Sequence, residues 1–143
     1  MKCSEIMTKD PSCCLPTDTV FEAAQIMKSE DVGPIPIISD KQMKKLKGIV
    51  TDRDLALKVV AEGLDPKNTT VEEVMTTGVA TCSPDDNAHE VLELMEQHQV
   101  RRIPIVDDND SLVGIISQAD IATRLEEPKK TAEVVEQISR AAA

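Results

Sequence analysis

The sequence predicts a mixed α/β (α+β) fold built from two β-α-β-β-α repeats. Three observations carry that reading. Ile35-Pro36-Ile37 returns as Ile103-Pro104-Ile105, 68 residues on. Gly48-Ile49-Val50-Thr51-Asp52-Arg53-Asp54 returns in outline as Gly114-Ile115-Ile116-Ser117-Gln118-Ala119-Asp120, 66 residues on. Ahead of each Ile-Pro-Ile run, apolar residues recur at helical spacing. A single repeat rarely buries its apolar face alone. The two copies are therefore expected as a pair about a pseudo-twofold axis, with clefts between the halves.

The elements follow in order. Ser12-Cys13-Cys14-Leu15 and Ala80-Thr81-Cys82-Ser83 read as short strands, closed by Pro16 and Pro84. Helices come next, with Thr19-x-x-Glu22 and Asn87-x-x-Glu90 in capping-box form. Val20, Ala23, Ala24 and Met27 line one helical face, and Ala88, Val91, Leu92 and Met95 line the other. The runs 35–38 and 103–106 read as strands, paired as hairpins with 48–50 and 114–116. The first hairpin turn is two residues longer, which drops the repeat offset from 68 to 66. Helices start near Thr51 and Ser117, the first ending at Gly63 as a C′ glycine. The boundaries are 1–64 for the first motif, 65–70 for a linker, 71–128 for the second motif, and 129–143 for a C-terminal extension. In that extension, Thr131 to Arg140 reads as a helix with Val134, Val135 and Ile138 apolar.

Composition narrows the function. The 143 residues suit one compact domain, or two half-sized ones sharing a core. Phe21 is the sole aromatic, so the core must be aliphatic and no stacking platform for single-stranded nucleic acid exists. A net charge of −10 argues against nucleic acid and acidic membranes as partners. No apolar run is long enough to span a membrane, and the opening residues lack the apolar run of a signal peptide, so a cytoplasmic protein is expected. Cys3, Cys13, Cys14 and Cys82 show no Cys-x-x-Cys spacing, so free and mostly buried thiols are expected, without a metal site. Cys14 and Cys82 are repeat-equivalent, which favours a core role for both. No serine–histidine–acid set and no P-loop is present, so no catalytic residues and no enzyme activity are expected. His89 and His98 lie nine residues apart on one helix and point in different directions, with His89 expected to be exposed.

Met7-Thr8 and Met75-Thr76 open the two copies. The repeated order Met-Thr, apolar-Pro-apolar, Gly-apolar-apolar-Thr/Ser-x-x-Asp resembles the CBS domain, and two in tandem resemble a Bateman module. The resemblance covers roughly residues 3 to 125. It implies motifs packed through their sheets, a homodimer, and clefts that bind adenosine-containing ligands: AMP, ADP, ATP, S-adenosylmethionine or NAD-type molecules. No resident cofactor is implied. The apolar-Pro-apolar strand of one copy would hold the base, and the Thr/Ser-x-x-Asp of the other the ribose and phosphate. Thr51, Arg53 and Asp54 would thus combine with Thr81, Arg102, Ile103, Pro104 and Ile105. Ser117 and Asp120 would combine with Cys13, Pro34, Ile35, Pro36 and Ile37. The module would be regulatory or sensory, read by an effector protein; the alternative is a structural dimerisation or adaptor module with ligand-free clefts.

The residues themselves fit that chemistry. Thr51 and Ser117 stand where a strand gives way to a helix, and the free N–H groups there favour an anion. Asp54 and Asp120, one turn on, can accept bonds from ribose hydroxyls. The same spacing also makes a helix capping box, with Asp in place of Glu. Pro36 and Pro104 cannot donate to a ladder, so each marks a strand edge or end. Gly48 and Gly114 read as allowing the hairpin to turn into its strand. Arg53 can meet a phosphate, and Arg102 can stack on a base or neutralise a phosphate. In the second set Ala119, Cys13 and Pro34 replace Arg53, Thr81 and Arg102, removing a donor or a charge each time. The first set is expected to bind a phosphorylated nucleotide more tightly.

Overall fold

The structure is a computed structural model that describes residues 1–124 and 135–139. In chain order it comprises α1 (Cys3–Ile6), β1 (Thr8–Lys9), α2 (Val20–Glu30), β2 (Ile35–Ile38), β3 (Leu46–Val50), α3 (Asp52–Leu55) with a wider turn over Ala56–Val60, α4 (Val71–Val74), α5 (Ala88–His98), β4 (Arg102–Val106), β5 (Leu112–Ser117) and α6 (Gln118–Arg124). The fold is mixed α/β, as the repeat pattern predicts. The chain divides into two compact units. Unit I is Pro11–Val79, and unit II joins Met1–Asp10 to the chain from Ala80 onward.

The units cut across the repeats, because the Met-Thr segment opening each repeat belongs with the body of the other. In unit II, β1 pairs antiparallel with β5, Thr8 opposite Ile115 and Lys9 opposite Gly114. In unit I, Thr76 and Ile49 exchange backbone hydrogen bonds of 2.9 and 3.0 Å. Gly48 and Gly114 make room for these crossings. A Cβ on Gly48 would lie 2.6 Å from the Thr76 carbonyl oxygen and 2.9 Å from Met75 Sδ. A Cβ on Gly114 would run into Met7 Sδ, with Met7 Cγ at 2.8 Å and the Thr8 carbonyl at 3.0 Å. The glycines thus serve a crossing chain rather than the turn into the strand that the sequence reading assigned them. Residues 65–70, expected as a linker, are tied into unit I: Val20 N–H donates to the Thr69 carbonyl at 2.9 Å and Phe21 N–H to that of Pro66 at 3.1 Å.

The strands expected at 12–15 and 80–83 shrink to one parallel bridge each, Cys14 beside Ile37 and Cys82 beside Ile105. The prolines explain the length. Cys14 N–H donates to the Pro36 carbonyl at 3.0 Å, and Ile38 N–H donates to the Cys14 carbonyl at 3.0 Å. By the two-residue period of a ladder, the next bonds would need the N–H of Pro36 in one direction and of Pro16 in the other, and proline has none. Unit II repeats the arrangement with Cys82, Pro104 and Pro84. Pro36 and Pro104 therefore stand inside buried strands, with their nitrogens on the side where the ladder stops. β2 pairs antiparallel with β3, and β4 with β5.

Each unit buries its own aliphatic core. Unit I packs Cys14, Val20, Ala23, Met27, Ile35, Ile37, Val50 and Val59 together. Unit II packs Cys82, Ala88, Val91, Leu92, Met95, Ile103, Ile105 and Ile116. Ala24, expected on the buried face of α2, is exposed, whereas its repeat equivalent Leu92 is buried. Thr19 caps α2 by accepting from Glu22 N–H at 3.1 Å, and Asn87 caps α5 by accepting from His89 N–H at 3.0 Å. Neither cap is the reciprocal box that was expected. The first helical N–H groups are already satisfied by neighbouring backbone, Val20 by Thr69 and Ala88 by Met1. Gly63 has φ +67°, as a C′ glycine requires. Residues 135–139 are helical, and Ile138 joins the unit II core. Val134 and the rest of the expected C-terminal extension lie outside the described residues.

Candidate functional site

The strand-to-helix junction of unit I is built by Thr51. Its extended backbone (φ −118°, ψ 164°) ends β3 and starts α3. Thr51 Oγ1 accepts from Asp54 N–H at 3.2 Å. Asp54 Oδ2 accepts in return from Thr51 N–H at 2.9 Å and from the Thr51 hydroxyl at 3.1 Å. The capping box therefore forms. Lys58, one turn further on, places Nζ 3.2 Å from Asp54 Oδ1 and donates to the Val74 carbonyl at 3.0 Å. The Asp54 side chain is only 16% exposed, so these bonds fix its direction. A carboxylate offers about four acceptor positions, and three are in use here. Arg53 is exposed beside it.

Beyond Leu55 the helix widens, and Ala61 N–H reaches the Ala56 carbonyl at 2.9 Å, five residues back. Such wide turns recur at functional sites. This one keeps Val59 in the core while Lys58 reaches Asp54.

The junction of unit II has the same frame and different charge. Ser117 N–H donates to Asp120 Oδ2 at 2.8 Å, and Asp120 N–H donates to Ser117 Oγ at 3.1 Å. Among the described residues no cation pairs with the Asp120 carboxylate. The residue equivalent to Lys58 is Arg124, and its Nη1 donates instead to the Ile6 carbonyl at 2.7 Å. Val74 and Ile6 are themselves repeat-equivalent, so each unit uses a cation of the helix that follows its hairpin to cap the same carbonyl. Sequence reasoning missed this pair, although two basic residues 66 apart were visible in the repeat. Arg102, half-buried, lies opposite Ser117 in the β4–β5 register, a neighbour the sequence reading did not give it.

The remaining expected contacts differ in what they can present. Ile35, Ile37, Ile103 and Ile105 are fully buried in their own units' cores. Thr81 and Pro34 are half-buried. Cys13, also half-buried, donates its thiol to the Pro11 carbonyl at 3.1 Å. His89, expected to be exposed, is half-buried, with Nδ1 2.7 Å from Asn87 Oδ1. Thr51, Arg53 and Asp54 stand in unit I with Cys13 and Pro34–Ile37; Ser117 and Asp120 stand in unit II with Thr81 and Arg102–Ile105.

The family model described as CBS domain matches two segments of this chain, residues 3–61 and 71–127. The chain belongs to the CBS domain family. Its two CBS segments lie in tandem and span most of its length. The CBS domain-containing protein YhcV of Bacillus subtilis is 42% identical over 118 residues, which cover 82% of this chain and 81% of that protein. A crystal structure of Hypoxic Response Protein I with two coordinated zinc ions is 37% identical, with a TM-score of 0.79 over 87% of this chain and 99% of the other. A crystal structure of the CBS domain pair of protein MJ0100, in complex with methylthioadenosine and S-adenosyl-L-methionine, is 31% identical, with a TM-score of 0.76 over 86% of this chain and 94% of that one. The CBS pairing read from the repeat is thus shown by sequence and by fold. Among the described residues of this CBS pair, no three His, Cys, Asp or Glu side chains converge on a metal position.

Proposed function

We propose that this CBS pair is a regulatory module that binds an adenosine-containing ligand, with Thr51, Arg53 and Asp54 as its stronger junction and Ser117 and Asp120 as its weaker one. The observation that carries the reading is the Asp54 carboxylate, which is held by Thr51 and Lys58 before any ligand arrives. A pre-oriented acceptor costs little ordering on binding. The open position on Oδ1 suits a ribose hydroxyl, and Arg53 beside it suits a phosphate. The adenosyl ligands of the MJ0100 pair support the ligand class. Among the described residues no cation pairs with the Asp120 carboxylate of the second junction, which favours phosphorylated ligands at the first.

The test is thermal stabilisation of the full chain by AMP, ADP, ATP, NAD and S-adenosylmethionine, since a ligand preferring the native state must raise Tm. The chain has no Trp or Tyr, so co-purified nucleotide also stands out near 260 nm. Asp54→Ala is expected to remove the shift given by a phosphorylated adenylate, and Asp120→Ala to leave most of it. Equal losses overturn the asymmetry. Flat responses to the whole panel, with nucleotide-free protein, overturn the adenosyl reading and leave a structural adaptor.

A further inference from the structure

We propose that Lys58 is a positioning residue that couples the Asp54 carboxylate to the crossing of Met75-Thr76 over β3, so that whatever engages Asp54 is felt at that crossing. The inference rests on the reading of Asp54 as a ligand acceptor and adds how its occupancy is relayed. Lys58 Nζ lies 3.2 Å from Asp54 Oδ1 and donates to the Val74 carbonyl at 3.0 Å. One ammonium thus serves two acceptors, and it has three hydrogens to give.

These contacts close a ring inside unit I. Val74 ends α4, and two residues on, Thr76 exchanges backbone bonds of 2.9 and 3.0 Å with Ile49 in β3. β3 runs on to Thr51, whose N–H and hydroxyl both donate to Asp54 Oδ2. Backbone makes one half of the ring, and the Lys58 ammonium closes the other. If the crossing lifts, the Val74 carbonyl leaves Lys58, and Asp54 loses the anchor of its cation. If Asp54 is drawn aside or neutralised, Lys58 loses its ion pair, and the Val74 carbonyl loses a fixed donor. Linkage makes the two effects reciprocal. Beyond Thr76 the chain leaves unit I after Val79, so the relayed change falls on the stretch that runs on into unit II.

Unit II shows the same crossing without the relay. Thr8 pairs with Ile115 there, as Thr76 does with Ile49. Arg124 caps the Ile6 carbonyl at 2.7 Å, yet among the described residues no cation pairs with Asp120. A cation on the carbonyl is therefore enough to seat an opening segment. The added contact of Lys58 with a carboxylate is what sets the first junction apart, and seating alone does not account for it.

The test needs no ligand. Amide hydrogen exchange of the full chain, followed by NMR, reads the Thr76 and Ile49 N–H groups. Both are scored against Ile38 N–H, which donates to the Cys14 carbonyl in the same unit and tracks opening of its core. Asp54→Asn keeps an acceptor for Thr51 and removes the charge that holds Lys58. The expected result is exchange at Thr76 faster by about fivefold relative to Ile38, the upper end for a half-exposed ion pair. In a Lys58→Met background the same change should add less than about twofold, as for sites that no longer interact. Asp120→Asn should leave exchange across the Thr8–Ile115 pair unchanged. Equal acceleration of Ile38, no acceleration at Thr76, an undiminished response in Lys58→Met, or a matching response in unit II overturns the proposal. No adenylate is added, so each of these outcomes stands apart from the Tm panel that tests the ligand reading.

Discussion

Substituting the two glycines separates backbone crowding from side-chain crowding. In Gly48→Ala the new methyl would sit 2.6 Å from the Thr76 carbonyl oxygen, an atom fixed by its paired bonds with Ile49. It can be relieved only by pushing the 75–76 segment off β3. In Gly114→Ala the first obstacle is the thioether of Met7, a side chain that can rotate, while the Thr8 carbonyl at 3.0 Å needs to give only slightly. Overpacking of this kind costs about 1–3 kcal/mol, offset by about 0.4–1 kcal/mol from the stiffer unfolded chain. Gly48→Ala belongs at the upper end of that range and Gly114→Ala at the lower. With about 3 °C of Tm per kcal/mol for a chain of this size, the expected falls are about 6–8 °C and about 2 °C or less. Differential scanning calorimetry reads both. The decisive step is a double-mutant comparison. Met7→Ala should recover part of the Gly114→Ala loss, whereas Met75→Ala should recover little of the Gly48→Ala loss. If Gly114→Ala proves the more damaging, or Met75→Ala rescues Gly48→Ala, the crossing-chain account of these glycines is wrong.

Two further outcomes follow from the packing. Lys58→Met and Arg124→Met each strip a donor from a helix-end carbonyl, Val74 and Ile6 respectively, and should each cost about 1–2 kcal/mol, read as a fall in Tm; Lys58→Arg should recover most of its loss, and a neutral Lys58→Met would refute the cap. The raised Cys14 thiol gives an alkaline signature: the unfolded thiol ionises near its ordinary value of about 8.5, while the folded one stays protonated up to about 12. Above the lower value the native state holds the extra proton, so stability falls as pH rises. Cys14→Ala should flatten Tm against pH over that interval, whatever its effect at neutral pH; an unchanged slope would refute the assignment.

Much of the architecture is written locally. The Ile-Pro-Ile and Gly-apolar-apolar runs place both hairpins, and the prolines at 16, 36, 84 and 104 even dictate the single-bridge strands once the ladder period is applied. The Thr51/Asp54 and Ser117/Asp120 junctions follow from spacing, and both capping boxes form as that spacing allows. The long-range facts were harder to see. Nothing near Met7 says that it crosses Gly114, and nothing near Cys3 says that it joins the core that holds Cys82, because both associations join segments more than seventy residues apart. The carbonyl caps of Lys58 and Arg124 were within reach, since the repeat aligns both the cations and the capped residues. Ala24 misled because a small side chain at a core-spaced position buries too little surface to hold that face inward.

The exchange of opening segments sets what can be inherited. Each copy lends its leading stretch to the other and borrows one back, so deleting either copy would strip its sibling of a strand partner and of the methionine seated on its glycine. The smallest heritable piece is the couple, and neither copy is a module that recombination can move by itself.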